Sequence, residues 1–358
     1  MAETPEDPVP GILSAITCGE VILSPDQFAT RESTRPTVPV CLDSELSVQE
    51  GCAALAAHRV SSAPVYDEKA GGFVGMLDYR DLVAYILAVL HKVPADRISA
   101  DADLELTDII RQATTGPQGT AGVPIKLVAN LSKLNPLAHL YSTEPVLTAV
   151  KTFARDKVHR LVVLRQEGAA GGDTFVGIIS QSTVAALIAS RLGKLSTKPG
   201  QPRTSWPLGE KTLADLGLVK GDVISISPED QVLEALYLMH EKKISSVGIV
   251  DRSEGDNLLL GSISMTDIKE ILARRGGWKR LFDSAMHFFG DLRAEQGLQH
   301  HGDDRVPSFT VHPGTTLGSA VEKIAATRSH RVWVVEKDGK VVGVVSLSDV
   351  MAVIAARL

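Results

Sequence analysis

A seven-residue motif that begins with glycine occurs four times along this chain of 358 residues. The copies are Gly75-Met-Leu-Asp78-Tyr-Arg-Asp81, Gly177-Ile-Ile-Ser180-Gln-Ser-Thr183, Gly261-Ser-Ile-Ser264-Met-Thr-Asp267 and Gly343-Val-Val-Ser346-Leu-Ser-Asp349. A recurring motif predicts a repeat architecture, in which copies of one small unit pack against each other. Three copies end in aspartate and the second ends in Thr183, and this asymmetry is the main functional clue.

Each motif closes a longer repeat with a regular pattern of helix and strand. An apolar residue opens a helical pattern in every repeat, at Val48, Val146, Val232 and Leu317. Twelve residues later, Val60, Val158, Ile244 and Ser329 each precede an apolar, strand-like run. Closing helices are predicted at 82–90, 184–192, 268–273 and 350–358. The predicted α/β unit is therefore strand, helix, strand, strand, helix, and such units are expected to pair, the first with the second and the third with the fourth.

Composition excludes several classes of protein. A formal net charge of -6 argues against a nucleic-acid-binding protein that works through bulk positive charge. The three cysteines have no metal-ligand spacing and no disulfide pattern, and no run approaches the roughly 20 apolar residues of a membrane helix. The sequence also shows no complementary acid–base or nucleophile arrangement. We therefore expect a protein that is not an enzyme, holds no metal, and resides in the cytosol, or in the cytosol and nucleus.

Segments outside the repeats carry predictions of their own. The stretch 13–23 is apolar enough to add a strand or helix to the first pair of repeats. Residues 194–203 and 111–122 have the composition of a linker and a loop. Six apolar side chains recur at near-helical spacing in the segment 276–304: Trp278, Leu281, Phe282, Met286, Phe288 and Phe289. This pattern predicts a helix packed on the second pair, with a partner-binding helix as the alternative.

Two polar patterns are candidates for a binding site. Ser-x-x-Asp at a helix start is consistent with a helix cap, in which the aspartate returns a hydrogen bond to the cap residue. The same carboxylate could instead accept two hydrogen bonds from a vicinal diol, with the glycine allowing the chain to approach a flat base. The dipeptide His-Arg recurs at 159–160 and 330–331, where it is either a solvated strand edge or a phosphate contact.

These residues resemble the cystathionine-β-synthase (CBS) domain, and four copies in one chain are similar to the gamma subunits of AMP-activated protein kinase. The resemblance is carried by residues 157–161, 211–217, 329–335 and 343–349. It implies four CBS domains paired into two Bateman modules that form a pseudo-symmetric disk. The implied segments are an N-terminal extension (1–37), CBS 1 (38–92), a connector with a flexible loop (93–135), CBS 2 (136–193), a linker (194–210), CBS 3 (211–275), an insert (276–304) and CBS 4 (305–358).

The resemblance also implies site residues. Ribose hydroxyls would be bound by Asp81, Asp267 and Asp349. Phosphates would be bound by His159, Arg160, His330 and Arg331. Hydroxyls at the helix starts would lie near the ligand, at Ser264, Thr266, Ser346 and Ser348. Thr183 replaces the aspartate of the second repeat, as in the cleft that the family commonly leaves empty. Two departures from the family pattern are Gln181-Ser-Thr183 and Ser61, where basic residues would stand.

The function implied by the resemblance is a non-enzymatic sensor of AMP, ADP or ATP that controls a kinase of the AMP-activated class. Its partners would be adenine nucleotides and the catalytic and scaffold subunits of that kinase, with no nucleic acid, membrane or further cofactor. One alternative is a stand-alone CBS protein that senses adenosyl ligands for another enzyme. Another is a scaffold whose clefts no longer bind ligands.

Overall fold

The computed structural model describes residues 7–24, 39–58, 60–91, 122–167, 173–195, 206–253, 257–268, 271, 277–299 and 308–358. Each repeat begins with an opening helix that follows a short strand. These helices start at the four predicted residues: α3 (Val48–Ala57), α5 (Val146–Asp156), α7 (Val232–Glu241) and α9 (Leu317–Thr327). Their buried faces carry the apolar residues of the 3.6-residue pattern, as Val146, Ala149, Val150 and Phe153 show in α5.

Every repeat contains a three-stranded sheet, as predicted. The first strand pairs in parallel with the second, and the second pairs antiparallel with the third. The strands are β1 (Leu42–Asp43), β2 (Ser62–Asp67) and β3 (Gly72–Asp78); β4 (His139–Tyr141), β5 (Arg160–Arg165) and β6 (Thr174–Ser180); β7 (Ser225–Ile226), β8 (Ser246–Asp251) and β9 (Leu258–Ser264); β10 (Thr310–Val311), β11 (Arg331–Val335) and β12 (Val341–Ser346). The second strands are almost wholly buried, which explains their rich content of β-branched residues.

The closing helices start earlier than predicted. They are α4 (Tyr79–His91), α6 (Gln181–Leu195) and α10 (Leu347–Ala355). Their starts precede the predicted ones by three residues, because the residue before each helix, such as Ser346, acts as the N-cap. Asp81, Thr183 and Asp349 consequently lie in the first helical turn. Most of the closing helix predicted for the third repeat, at 268–273, lies outside the described residues.

Four segments of the chain, here called straps, each lie against the start of an opening helix: residues 123–135 in repeat 1, 16–24 in repeat 2, 283–299 in repeat 3 and 211–220 in repeat 4. The first N–H of the helix donates to the strap, and the strap residue two positions later donates back. In repeat 1, Val48 N donates to Val123 O at 3.0 Å, and Ile125 N donates to Leu46 O at 2.8 Å. The same pair of bonds recurs in the other repeats, and the strap residues that donate back are Cys18 in repeat 2, Ala285 in repeat 3 and Leu213 in repeat 4. We call these and Ile125 the anchor residues.

The straps cover the conspicuous glycines. A Cβ atom on Gly177 would lie 2.8 Å from the Ile22 side chain, and one on Gly261 would lie 2.8 Å from the Phe289 ring. Gly75 and Gly343 face Ala129 and Val219 in the same way, at 3.0 and 3.5 Å. The close approach predicted for these glycines therefore exists, but the group that approaches is a strap.

Two straps are helical, and both were expected as apolar additions to the fold. The first contains α2 (Cys18–Leu23), preceded by α1 (Pro8–Ser14), and Leu13 and Val21 join the core of repeat 2. The other contains α8 (Ala285–Gln299), whose Phe288, Phe289 and Leu292 are buried against repeat 3. The predicted packing of the segment 276–304 is therefore confirmed for α8, which packs on repeat 3. The predicted loop at 111–122 and the predicted linker at 194–203 lie mostly outside the described residues, although 194–195 belong to α6.

The chain divides into two compact bodies. Body 1 comprises residues 1–34, 138–223 and 308–358 and holds repeats 2 and 4; body 2 comprises 35–137 and 224–307 and holds repeats 1 and 3. In body 1, α5 packs on α10 and α6 packs on α9, and in body 2, α4 packs on α7. Helix packing thus groups alternate repeats, whereas the straps are exchanged between consecutive repeats. Among the helices that the structure describes, none has both the length and the apolar character needed to span a bilayer.

Candidate functional site

The start of α10 in body 1 presents the Asp349 carboxylate in a defined orientation. Oδ2 of Asp349 accepts hydrogen bonds from Ser346 N at 2.9 Å and from Ser346 Oγ at 2.6 Å, and Asp349 N donates to Ser346 Oγ at 3.3 Å. This is a complete capping box. The interpretation of the motif as a helix cap is therefore correct for the oxygen Oδ2. The second oxygen, Oδ1, points away from this cap and is available for another partner.

That partner is a lysine from the strap. Lys220 Nζ lies 3.4 Å from Asp349 Oδ1, and the two side chains are 66% and 26% exposed. An ion pair this exposed is weak and exchanges readily with other partners. The carboxylate is therefore held in place by its own helix. It is covered by the ammonium group of a long, flexible lysine side chain and not by a rigid group.

Repeat 2 contributes polar groups to the same helix start. Ser348 Oγ donates to Gln181 Oε1 at 3.1 Å and lies 3.4 Å from His159 Nε2. Gln181 is itself fixed by a bond from its Nε2 to Val158 O at 3.0 Å. Two repeats thus place an imidazole, a hydroxyl, an amide and a carboxylate beside one helix N-terminus.

The two His-Arg pairs occupy matched places in body 1. Arg160 lies opposite Ser180 in the sheet of repeat 2, and Arg331 lies opposite Ser346 in the sheet of repeat 4. The carbonyl oxygens of His159 and His330 accept the first N–H of the following helices, from Gln181 at 3.1 Å and from Leu347 at 3.0 Å. All four residues are half-buried. The backbone of each histidine is therefore hydrogen-bonded to the start of a closing helix, which places each basic pair next to that helix start.

This arrangement suits a ligand that carries both a diol and an anion. A carboxylate oxygen accepts hydrogen bonds from vicinal hydroxyls. Arginine and histidine side chains donate to phosphate oxygens, and the exposed N–H groups of a helix start favour an anion. The described residues contain no cluster of side chains that could hold a metal ion.

The start of the closing segment in repeat 3 resembles that of repeat 4 without the lysine. Asp267 Oδ2 accepts hydrogen bonds from Ser264 N at 2.9 Å and from Ser264 Oγ at 2.6 Å. Asp267 is 9% exposed, and the neighbouring Thr266 is half-buried. At the places that match the His-Arg pairs of body 1, repeats 1 and 3 have Ser61-Ser62 and Ser245-Ser246 instead.

The corresponding carboxylate of repeat 1 is enclosed. Asp81 is 0% exposed, and its Oδ1 accepts hydrogen bonds from Ser132 N at 3.0 Å and from Ser132 Oγ at 2.7 Å. Its Oδ2 accepts a bond from Asp78 N at 3.1 Å. Burial, and secondly the negative charge of Asp78, raise the pKa of Asp81 to about 7, although the bonds from Ser132 act in the opposite direction. Asp81 does not present its carboxylate to an open cleft.

Repeat 2 replaces the carboxylate with a neutral network. Ser180 Oγ lies 2.8 Å from Thr183 Oγ1 and 2.8 Å from Ser182 Oγ, and it accepts Thr183 N at 3.2 Å. These hydroxyls cap α6 among themselves. The geometry gives no acceptor equivalent to Asp349 at this position.

Three residues that matter here were absent from the predicted site. Gln181 could have been suspected only as a departure from the family pattern. Ser132 and Lys220 lie in straps, far in sequence from the carboxylates that they contact. Ser132 and Lys220 each lie seven residues after an anchor residue. The anchor residues can be identified only from the hydrogen bonds of the straps, so the sequence alone does not reveal this spacing.

Comparison with known proteins shows four matches to one family model. The model, described as CBS domain, matches residues 35–88, 131–190, 214–274 and 304–356. Protein SDS23 of Kluyveromyces lactis is 28% identical over 340 residues, which are 88% of this chain and 60% of the relative. Protein sds23 of Aspergillus niger is 34% identical over 268 residues, which are 74% of this chain and 47% of the relative. The chain thus spans only about half the length of these curated relatives.

A solved structure has the same fold. The crystal structure of a Methanocaldococcus jannaschii protein, a proposed archaeal homologue of g-AMPK, aligns with a TM-score of 0.60 and covers 91% of this chain and 98% of its own. Sequence identity in that alignment is 13%, so the likeness concerns the fold alone.

Proposed function

Because this chain belongs to the CBS-domain family, we propose that it is a non-enzymatic regulatory protein that binds an adenine nucleotide at the start of α10 in body 1. The observation that carries the proposal is the meeting of Asp349, Ser348 and His159 at one helix start. Ribose hydroxyls would bind Oδ1 of Asp349 in place of Lys220. Phosphates would face His159 and the basic residue beside it in sequence, Arg160.

The proposal that no reaction occurs rests on the composition of this site. Asp349 is fixed by a capping box and faces a lysine, and the groups near it are an amide, a hydroxyl and an imidazole. These groups bind and orient a ligand, but they do not form an acid and a base on opposite sides of a reacting bond. Regulation by such a site requires that the nucleotide bind one state of the protein, or of its complex, more tightly than another.

The regulated partner is the finer part of the proposal. A gamma-type role in a kinase of the AMP-activated class is supported by the fold of the archaeal protein, at 13% identity. The stronger sequence similarity, up to 34%, is to proteins named SDS23. We therefore favour a stand-alone CBS regulator of another enzyme over a kinase subunit. Co-purification of the full chain with the catalytic and scaffold subunits of such a kinase, at defined stoichiometry, would reverse this preference.

Calorimetric titration of the ligand-free protein with AMP, ADP and ATP tests nucleotide binding. We expect saturable binding by the wild type and at least a tenfold loss in Asp349→Ala, since the variant lacks the acceptor for ribose. Glu50→Ala is the matched control, because Glu50 forms a similar capping box with Ser47 at the start of α3 and lies outside the site. Equal affinities in the wild type and Asp349→Ala, or no binding by the folded wild type, would favour the scaffold alternative.

A further inference from the structure

The hydrogen bonds around Asp81 have the form expected for a bound diol. Two donors of a single residue, Ser132 N and Ser132 Oγ, reach the same oxygen, Oδ1, at 3.0 and 2.7 Å. Two adjacent ribose hydroxyls would offer a carboxylate the same pair of short, convergent donors. Asp78 N donates to Oδ2, and Asp81 is fully buried, so a ligand cannot reach the carboxylate while Ser132 is in place.

We propose that Ser132 is an internal ligand that keeps repeat 1 closed, so that the strap must leave Asp81 before a nucleoside can bind there. The proposal rests on the proposed function for the identity of the competitor, an adenine nucleoside or nucleotide. According to this proposal, the connector between repeats 1 and 2 makes an autoinhibitory contact. The site of repeat 1 is then closed to ligand, whereas the site of repeat 4 is open.

Among the straps that the structure describes at this position, the double donor occurs only in repeat 1. Ser132 follows the anchor Ile125 by seven residues, and Lys220 follows the anchor Leu213 by the same number. Both contact the carboxylate of their repeat, Asp81 and Asp349 respectively. In repeat 3 the matching strap residue is Leu292, which is buried and has no side-chain donor. This strap position therefore carries a residue with two donors in repeat 1, a cation in repeat 4 and an apolar side chain in repeat 3.

The closed strap is not at an energetic optimum, which makes displacement feasible. Lys133, next to Ser132, has a φ angle of 59°, in the left-handed region that is unfavourable for lysine, whereas Asn130 has a φ angle of 55°, which asparagine tolerates. The Asn135 side chain is buried, and neither its Oδ1 nor its Nδ2 has a hydrogen-bond partner in the part of the chain that the structure describes. A segment with strained backbone and an unsatisfied amide loses less on leaving its site than a fully satisfied one.

The chemistry around the closed site selects the class of ligand. Repeat 1 has Ser61-Ser62 where repeats 2 and 4 have His-Arg, and the Asp78 carboxylate caps α4 where the other repeats have serine. Two carboxylates and two hydroxyls favour a neutral nucleoside over a phosphorylated one, because a phosphate would meet negative charge. Adenosine is therefore the appropriate probe, with AMP beside it.

Equilibrium dialysis of the full chain with adenosine, and separately with AMP, tests the proposal by stoichiometry at saturation. We expect Ser132→Ala to bind one more molecule of adenosine than the wild type, and we expect Asp81→Asn to abolish that gain when added to Ser132→Ala. Ser132→Asp is the second opening variant, since its charge repels Asp81. Ser227→Ala is the matched control, because Ser227 N also donates to a carboxylate, that of Asp230, at 2.7 Å.

The outcomes separate this proposal from the function proposed above. A loss of one bound molecule when Asp81→Asn is made in the wild type would overturn it, because repeat 1 would then already be open. Unchanged stoichiometry in both folded Ser132 variants would overturn it as well. A wild type that binds nothing would refute the body 1 site, yet a gain of adenosine binding in Ser132→Ala would still support the internal ligand.

Discussion

The carboxylates of repeat 1 and repeat 4 stand at the same offset from a glycine and have opposite surroundings. Asp349 faces an exposed lysine and lies near the His159 imidazole through Ser348. Asp81 is fully buried, beside a second carboxylate and under a serine from its strap. The motif therefore fixes the position of the carboxylate at a helix start, and we expect the strap to determine whether a ligand can reach it.

This difference teaches how a repeat protein can vary its sites without changing its fold. The capping geometry of Asp349 and Asp267 is nearly the same, because it depends on residues within the motif. The strap residue comes from a segment next to a different repeat in sequence, so it can change independently of the motif. Substitutions that alter the strap contact or the carboxylates should therefore separate the two regions.

The largest expected effect is a pH-dependent stability that originates in repeat 1. The pKa of Asp81 is about 7 in the folded protein, against an ordinary value of 3.8. The neutral acid therefore stabilises the fold fully below about pH 4, and this stabilisation is lost as the pH rises through about 7, on the order of 4 kcal/mol in total. Urea unfolding at about pH 5 and about pH 8 should show the wild type less stable at the higher pH.

Asp81→Asn identifies the group responsible. The asparagine keeps an oxygen for Ser132 and does not titrate, so its cost should be similar at both pH values. The pH dependence of the variant should be much smaller than that of the wild type. The same variant made in repeat 4, Asp349→Asn, should keep the pH dependence that Asp81 produces, and a loss of that dependence would contradict the comparison.

A smaller gain in stability is expected when repeat 1 is given the cap residue of repeats 3 and 4. Asp78→Ser removes the negative charge that helps to raise the pKa of Asp81, while serine caps a helix about as well as aspartate. If the pKa of Asp81 falls by about one unit, the variant gains about 1.4 kcal/mol above neutral pH. Unfolding at about pH 5 is the control, since the gain should vanish where Asp81 is protonated in both proteins.

Much of the fold could be predicted from the sequence because its signals are local. The starts of the opening helices at Val48, Val146, Val232 and Leu317 follow from apolar periodicity, and the buried strands follow from β-branched runs. The closing helices were predicted to start late because their first turns, such as Gln181-Ser-Thr183, are polar. In those turns the N-cap, and not apolar periodicity, sets the boundary.

The state of each site could not be predicted, because it depends on contacts distant in sequence. Asp81 and Ser132 are separated by 51 positions, and Lys220 and Asp349 by 129. Nothing in the motif Asp78-Tyr-Arg-Asp81 indicates that it lies beneath a strap. The grouping of alternate repeats into compact bodies was likewise not predicted, since it depends on which helix faces meet, as α5 does with α10.

In body 1, loss of the carboxylate should affect stability only as the loss of a helix cap. Asp349→Ala removes the hydrogen bonds to Ser346 and should destabilise the protein by about 1 kcal/mol. Because Asp349 and Ser346 are both partly exposed, water can replace the hydrogen bonds that the substitution removes. Thermal unfolding of Asp349→Ala beside Ser346→Ala measures the cap from both sides, and a loss several times larger in Asp349→Ala alone would mean that the carboxylate has a further structural role.

The smallest expected effect concerns Lys220. It tests whether a ligand can displace Lys220 from Asp349, in contrast to Ser132, which is held firmly on Asp81. Lys220→Met should change stability very little, since the ion pair with Asp349 is exposed and screened by salt. It should lower the affinity for AMP a few-fold, because the site loses one positive charge that attracts an anionic ligand, and leave adenosine binding equal or slightly tighter, because Oδ1 of Asp349 is freed. Calorimetry at low and high salt gives the ratio of the two affinities, and an unchanged ratio would show that Lys220 does not take part in binding.

Ser132 is held by its backbone N–H as well as its hydroxyl, whereas Lys220 can swing away from its carboxylate, which is why we expect repeat 4 to be open to ligand and repeat 1 to be closed.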